Sequence, residues 1–140
     1  MITTNDDTLA GSCANVKRRR DNAAGLSAGL AGAPRLRLPT ELAGRSHVWH
    51  QYTVLVTGDA PVRRDHLITR LTDKRVDRGL RYPRTVNDYE CYRHYPRVDP
   101  DPARVAERVV QRCASLPVHQ HLSDGDVERI VEVAPEAVVA

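Results

Sequence analysis

The chain has 140 residues and a formal net charge of +3, with 41% hydrophobic and 28% charged residues. This is the composition of one soluble globular domain, and a chain of this size can bury about two-thirds of its unfolded surface without disulfides or metals. A run of about 18 apolar residues, which a membrane-spanning helix requires, is not present in the sequence. The three cysteines are irregularly spaced and the N-terminal sequence has no secretory pattern, so we expect a reducing, cytoplasmic environment.

The first part of the chain predicts a loose lead-in over residues 1–15 and a helix over residues 16–32. The lead-in shows no hydrophobic period, whereas Leu26 and Leu30 recur at helical spacing with arginines on the opposite side. Residues 16–32 therefore predict an amphipathic helix with one apolar stripe.

The predicted helix carries a basic run, KRRR, at 17–20 and two glycines, Gly25 and Gly29. A basic run can bind nucleic acid, but Asp21 follows at once, which favours a solvated helix face instead. Each glycine weakens a helix by up to about 1 kcal/mol relative to alanine. We therefore expect this helix to depend on packing against a partner.

The middle of the chain alternates extended and helical patterns. Residues 35–39 predict a short extended piece, and residues 47–59 predict the best strand because they are rich in β-branched and aromatic side chains. A helix is predicted over residues 62–74 from its apolar stripe, and a second short strand over residues 79–83.

The last part predicts a helix, a short extended piece and a second helix. Asp101 is the expected N-cap of the first helix, with Pro102 at its first helical position. Ser123 and Asp126 have the spacing of a capping box at the start of the last helix. The expected inward face of the first helix is Val105, Val109, Val110 and Cys113. This order of elements predicts an α+β fold, a small sheet covered by helices on one face.

Residues 81–96, RYPRTVNDYECYRHYP, contain four of the five tyrosines of the chain. The stretch has no helical period and includes two prolines. Its rings can cover the core as an ordered loop, or its tyrosines and arginines can form a binding loop for a polar, phosphate-bearing ligand. The residues alone leave both interpretations open.

No complete active site or metal site can be read from the sequence. His119 and His121, with Cys91 and Cys113, fit no compact zinc pattern. A glycine-rich phosphate loop and the G-x-S-x-G and H-E-x-x-H motifs are absent from the sequence. We therefore predict no metal ion and no catalytic residue.

An ordered series of motifs runs from Arg18 to Val131. It comprises RRRDNAAGLSAGL, LRLP, HVWHQYTVLV, RDHLITRL, YPRTVNDYECYR and SLPVHQHLSDGDVERIV. The series resembles the C-terminal part of the DegT/DnrJ/EryC1/StrS family of pyridoxal-phosphate-dependent sugar aminotransferases. The resemblance implies the small C-terminal domain of a fold-type I transferase at residues 33–134, preceded by a connecting helix at 16–32.

The resemblance also implies the activity of the whole enzyme. Such an enzyme transfers an amino group from glutamate or glutamine to a keto-sugar, either a sugar nucleotide or an aminocyclitol precursor, and works as a homodimer. Its Schiff-base lysine, the aspartate under the pyridine nitrogen and the phosphate-binding residues belong to a large N-terminal domain. Neither Lys17 nor Lys74 matches that lysine. We therefore expect no pyridoxal phosphate on this chain alone, a partner chain carrying the large domain, and an exposed apolar face around Leu26 and Leu30.

Members of the family use the tyrosine-rich loop to reach the sugar nucleotide, often across a dimer interface. The resemblance therefore makes substrate-binding candidates of Arg81, Tyr82, Asn87, Tyr92 and Arg93. The sequence departs from the family pattern at four positions. Family members commonly have glycine at Arg75, histidine at Arg81, proline at Thr85 and histidine at Asn87.

Two functions of other classes remain beside that of an aminotransferase domain. The chain could be a stand-alone sugar-nucleotide-binding or interaction module that keeps the loop without the chemistry. A nucleic-acid binder ranks last, because acids are interleaved with the arginines.

Overall fold

The computed structural model of the protein describes residues 6–76, 83–92 and 100–139. The helices are α1 (Asp6–Gly29), α2 (Arg64–Asp73), α3 (Pro100–Val110) and α4 (Asp124–Glu136). The strands are β1 (Leu36–Arg37), β2 (Tyr52–Val56) and β3 (Cys113–Leu116), and 3₁₀ turns span Val86–Asp88 and Glu90–Tyr92. The predicted α+β class is confirmed. Among the described helices, none combines the length and apolarity that a bilayer crossing requires.

The three strands form one antiparallel sheet with β2 in the centre. Tyr52 lies opposite Leu116 and Val54 opposite Ala114, while Val56 pairs with Leu36 of β1. Tyr52, Val54 and Val56 are buried, and the residues between them are only partly buried. This period of two is the pattern of a strand with one face on the core.

Helices α1, α2 and α4 cover the buried face of the sheet, in agreement with the predicted small sheet covered by helices on one face. The core consists of buried side chains from the sheet, from these helices and from their connections. The helices contribute Ala23, Leu26, Leu30, Leu67, Ile68, Leu71, Ile130, Val133 and Ala134. Leu26 and Leu30 are 0% and 1% exposed. The expectation that they form an exposed apolar face is therefore wrong, because this chain itself covers them.

Helices α1 and α4 pack closely because α1 has glycines on the shared side. A Cβ at Gly29 would lie 2.5 Å from Val131 Cγ2, and one at Gly25 would lie 3.1 Å from Val127 Cγ1. The glycines that weaken α1 as an isolated helix thus give the valines of α4 room to approach. The predicted need for a packing partner is met by α4.

The N-terminal boundary of α1 differs from the prediction. The helix begins at Asp6, ten residues before the predicted start, so residues 6–15 are helical. Residues 11–15 are exposed, and a helix segment without a packing partner carries no hydrophobic period in its sequence. The division of the chain into lead-in, connecting helix and small domain stays a prediction.

Two predicted strands also change. β2 occupies only the second half of the predicted strand at 47–59, because the preceding segment is held by side chains of α1, as described below. The predicted strand at 79–83 lies outside the described residues except for Pro83, which is not in a strand.

Helix α3 differs from its prediction in both start and orientation. It begins at Pro100, so Asp101 lies inside the helix and is not its N-cap. The sequence repeats Asp-Pro, and the structure uses the first proline rather than the second. Val105 and Val109 were expected to face inward, but they are 53% and 44% exposed. A helical period shows that a helix is amphipathic, but not that its apolar face is covered.

The end of α2 explains why a glycine is expected at position 75. Arg75 has a φ of 60°, and its N–H donates to the Thr72 carbonyl at 2.9 Å. The N–H of buried Val76 donates to the Leu71 carbonyl at 2.8 Å, which completes a Schellman motif. An arginine thus holds the left-handed position that glycine adopts without strain.

Candidate functional site

The substrate-binding candidates are only partly within the described residues. Arg81, Tyr82 and Arg93 lie outside them. Asn87 lies in the first 3₁₀ turn and is partly buried, while Tyr92 ends the second turn and is 47% exposed. The structure therefore places two of the five candidates on one short loop.

The described loop, residues 83–92, presents aromatic side chains outward. Tyr89 is 39% exposed, and the Arg84 guanidinium lies 5.3 Å from the centroid of its ring, within the range of a cation–π contact. Together with Tyr92, Tyr89 lies at the surface rather than over the core. For these two tyrosines the observed exposure argues against the interpretation that their rings cover the core.

Thr85 is the buried residue of the same loop. It is 7% exposed, and its hydroxyl has no hydrogen-bond partner in the described part of the chain. Its φ of −71° and ψ of 156° match a proline conformation. The geometry at Thr85 therefore suits the proline that the family pattern has at this position.

Segment 45–50 has no regular secondary structure and is held on α1 by two arginines. Arg19 Nη1 donates to the carbonyls of Trp49 and His50, at 3.3 Å each, and Arg20 Nε donates to the His47 carbonyl at 3.0 Å. The buried Trp49 has a φ of 50°, its N–H donates to His47 Nδ1 at 2.8 Å, and the two rings are 4.5 Å apart. The arginines thus fix a strained tryptophan backbone, since left-handed φ is rare for bulky residues.

The same helix also holds the segment that precedes α4. Arg18 Nη2 donates to the Leu122 carbonyl at 2.7 Å and to Asp124 Oδ1 at 2.8 Å. Asn22, which is 2% exposed, donates from Nδ2 to the His119 carbonyl at 2.8 Å. Through these bonds α1 fixes the chain direction into α4.

The basic run at 17–20 was predicted to be a solvated face. This holds for Lys17 and Arg20, which are exposed, and is wrong for Arg18 and Arg19, which are partly buried. All three arginines donate to backbone carbonyls of another segment, while Lys17 forms an exposed ion pair with Asp21 at 2.9 Å. Sequence reasoning missed these roles, although the motif RRRDNAAGLSAGL contains all three arginines.

One tyrosine of the motif series is fully internal. Tyr52 is 0% exposed, and its hydroxyl lies 2.9 Å from the Ser27 hydroxyl of α1. Burial raises the pKa of Tyr52, and the hydrogen bond with Ser27 opposes that rise. This phenol is therefore neutral at ordinary pH and links the sheet to α1.

The described residues do not fit pyridoxal phosphate. The sequence has two lysines, and the side chain of Lys17 is 79% exposed while Lys74 lies exposed at the C-cap of α2. An amine that forms a covalent link to this cofactor is normally enclosed beside a phosphate cradle. In the described ranges, no group of three or more His, Cys, Asp or Glu side chains could hold a metal ion.

Comparison with known proteins gives a match over almost the whole chain. Residues 7–134 match the DegT/DnrJ/EryC1/StrS aminotransferase family. The dTDP-3-amino-3,4,6-trideoxy-alpha-D-glucose transaminase of Streptomyces venezuelae is 30% identical over 119 residues, which are 85% of this chain and 30% of that protein.

Solved structures give the same result. S. venezuelae DesV in complex with a ketimine intermediate is 28% identical with a TM-score of 0.80, over 91% of this chain and 33% of that one. The aminotransferase TlmJ of Streptoalloteichus hindustanus is 32% identical with a TM-score of 0.75, over 88% and 31%. The chain thus spans about a third of the length of these relatives.

Proposed function

This chain belongs to the DegT/DnrJ/EryC1/StrS aminotransferase family, and from this premise we propose that it is the C-terminal domain of a pyridoxal-phosphate-dependent sugar-nucleotide or aminocyclitol aminotransferase. We further propose that it transfers no amino group by itself and acts in the cytoplasm. One observation carries the proposal. The match covers 91% of this chain but only 33% of a solved sugar aminotransferase.

The described lysines support the inactivity of the chain alone. Amino transfer by this cofactor requires a lysine amine that links to it and moves a proton. Lys17 is solvated and paired with Asp21, and Lys74 is exposed at a helix end. The lysine therefore has to come from a large domain, either in a longer form of this protein or in a separate chain, and the assembled enzyme is a homodimer.

The role proposed for this domain is to present the tyrosine-rich loop to the substrate. The candidates remain Arg81, Tyr82, Asn87, Tyr92 and Arg93. The exposure of Tyr92 and Tyr89 supports this role, because rings at the surface can stack on a sugar or a base. A dTDP-sugar is the substrate class that the name of the S. venezuelae relative favours.

The first experiment tests catalysis. The purified chain is mixed with pyridoxal phosphate, an amino donor and a keto-sugar nucleotide, with and without the lysine-bearing large domain encoded at the same locus. We expect no absorbing covalent adduct and no transfer by the chain alone, and turnover once the large domain is present. Turnover by the chain alone that is lost in Lys74→Ala or Lys17→Ala would contradict the proposal.

The second experiment tests the loop. Tyr92→Ala should weaken binding of a dTDP-sugar by about 1–3 kcal/mol, the range for losing one aromatic stacking contact. Val86→Ala is the matched control, because Val86 is 67% exposed on the same loop and offers no ring. Titration calorimetry of the assembled enzyme gives both values, and equal losses in the two variants would argue against a binding loop.

A stand-alone sugar-nucleotide-binding module is the second candidate. The exposed tyrosines favour it, because they require no lysine to bind a ligand. Binding of the dTDP-sugar by this chain, combined with no turnover when the large domain is added, would identify this function.

A further inference from the structure

A cleft lies on a part of the surface that the proposed function does not use. It has a volume of about 430 Å³ and opens between the turn after β2 and the junction of α3 with β3. Its walls include Gly58, Arg63, Arg64, Asp65 and Arg112. Three of these five residues are arginines and one is an aspartate, so the net charge of the cleft walls is positive.

Arg64 forms the buried wall of the cleft. Its side chain is 8% exposed and bonds Asp65 Oδ1 at 2.8 Å, and its Nη1 donates to the Val110 carbonyl. The bond to Val110 ties the start of α2 to the end of α3, and the ion pair with Asp65 neutralises the charge of that carboxylate. Arg64 therefore shapes the cleft and removes its negative charge.

Arg63 and Arg112 carry the remaining positive charge. Both are exposed, and within the described residues neither forms an ion pair. A Cβ at residue 58 would lie 3.1 Å from Arg112 Nη1 and 3.5 Å from Nη2. The guanidinium of Arg112 thus lies close to the bare backbone of Gly58, and both residues line the cleft.

We propose that this cleft binds a phosphate-bearing small molecule through Arg63 and Arg112. A guanidinium matches phosphate oxygens with two parallel hydrogen bonds. Two guanidiniums that form no ion pair with any described residue, beside a neutralised carboxylate, attract a multiply charged anion. The cleft volume lies in the range of small-molecule sites and exceeds what one orthophosphate fills. A diphosphate group is therefore the expected ligand. This site is separate from the tyrosine-rich loop and does not depend on the proposed function.

The test is calorimetric titration of the full chain with pyrophosphate, and then with orthophosphate and a nucleoside diphosphate. Arg112→Gln and Arg63→Gln should each weaken pyrophosphate binding by about tenfold or more, the loss expected for a charge-assisted contact. Arg129→Gln is the matched control. It removes the same charge from α4, where Arg129 is 52% exposed and lies 3.6 Å from Glu132.

Gly58→Ala separates geometry from charge. The added methyl group displaces the Arg112 guanidinium without changing the net charge, so binding should weaken while the melting temperature changes little. Saturable pyrophosphate binding that Arg112→Gln and Gly58→Ala reduce and Arg129→Gln retains supports the site. The comparison of orthophosphate with the nucleoside diphosphate then identifies its ligand. Absence of saturable pyrophosphate binding, or an equal loss in Arg129→Gln, would overturn the proposal.

Discussion

Replacing Gly29 by alanine tests the close packing of α1 on α4. The new Cβ would lie 2.5 Å from Val131 Cγ2 and 2.6 Å from Cγ1, whereas carbon atoms pack at about 3.5–4.0 Å. Val131 is β-branched and has one strongly preferred rotamer in a helix. The clash is therefore relieved chiefly by moving α1 and α4 apart.

The magnitude follows from two opposing effects. Overpacking costs about 1–3 kcal/mol, and alanine gains up to about 1 kcal/mol over glycine in a helix. With the full helix gain, Gly29→Ala should therefore lower the free energy of unfolding by up to about 2 kcal/mol, measured as a shift of the urea midpoint at constant m-value. Gly11→Ala is the control in the same helix. No atom lies within 4 Å of its new Cβ, so it should not destabilise the protein.

A double-mutant cycle with Val131→Ala makes the test specific. Removing the two methyl groups that the new Cβ would meet should make Gly29→Ala neutral or stabilising in the Val131→Ala background. The expected coupling is about 1 kcal/mol or more, in the range for residues in contact. A stabilising Gly29→Ala in the unaltered protein, or a coupling of zero, would refute the close approach of the two helices.

Three further changes test local geometry. Thr85→Pro should raise the free energy of unfolding by about 0.5–1 kcal/mol, because residue 85 already has a φ of −71° and its buried hydroxyl has no partner in the described part of the chain. Thermal unfolding measures this gain in stability. Thr85→Val is the control that removes the hydroxyl without introducing a proline ring. Arg75→Gly should stabilise by about 1 kcal/mol, since residue 75 has a φ of 60°. The side chain and backbone N–H of Ser123 lower the pKa of Asp126. The contribution of ionised Asp126 to the free energy of unfolding is therefore fully present above the unfolded pKa of about 3.9 and is lost as pH falls through the lower folded pKa. Asp126→Asn should remove this part of the dependence of stability on pH.

The elements that the sequence predicted well are those with local signals. The capping box of α4 is present, with Asp126 N donating to Ser123 Oγ at 3.2 Å and Ser123 N donating to Asp126 Oδ2 at 2.8 Å. Strand β2 follows from its β-branched residues, and α2 from its apolar stripe. In each of these elements the residues that define the pattern also make the contacts.

The elements predicted badly are those in which the hydrophobic period of the sequence does not match the burial of the helix in the structure. The first turns of α1 are helical without a hydrophobic stripe, because periodicity reports burial rather than helix formation. The opposite holds for α3, whose stripe at Val105 and Val109 is present but exposed in the structure. Neither outcome follows from a pattern of apolar residues alone.

The motifs by which the family was recognised are joined to one another in the fold. Arg19 and Arg20 of the first motif donate to backbone carbonyls of the motif HVWHQYTVLV, and Asn22 donates to the His119 carbonyl of the motif SLPVHQHLSDGDVERIV. Ser27 and Tyr52 complete the set. These bonds span 25 to 97 residues of sequence, so no local rule predicts them.

This arrangement separates what the motif series predicts from what it leaves open. Residues that bond one another across the core report the fold, and any sequence that keeps them keeps the domain, whatever it binds. In the proposed function, the substrate would instead be chosen by the tyrosine-rich loop, where Thr85 and Asn87 depart from the family pattern. The aminotransferase fold of this chain therefore rests on many mutually bonded residues, whereas the sugar specificity that we propose would rest on the few that face outward.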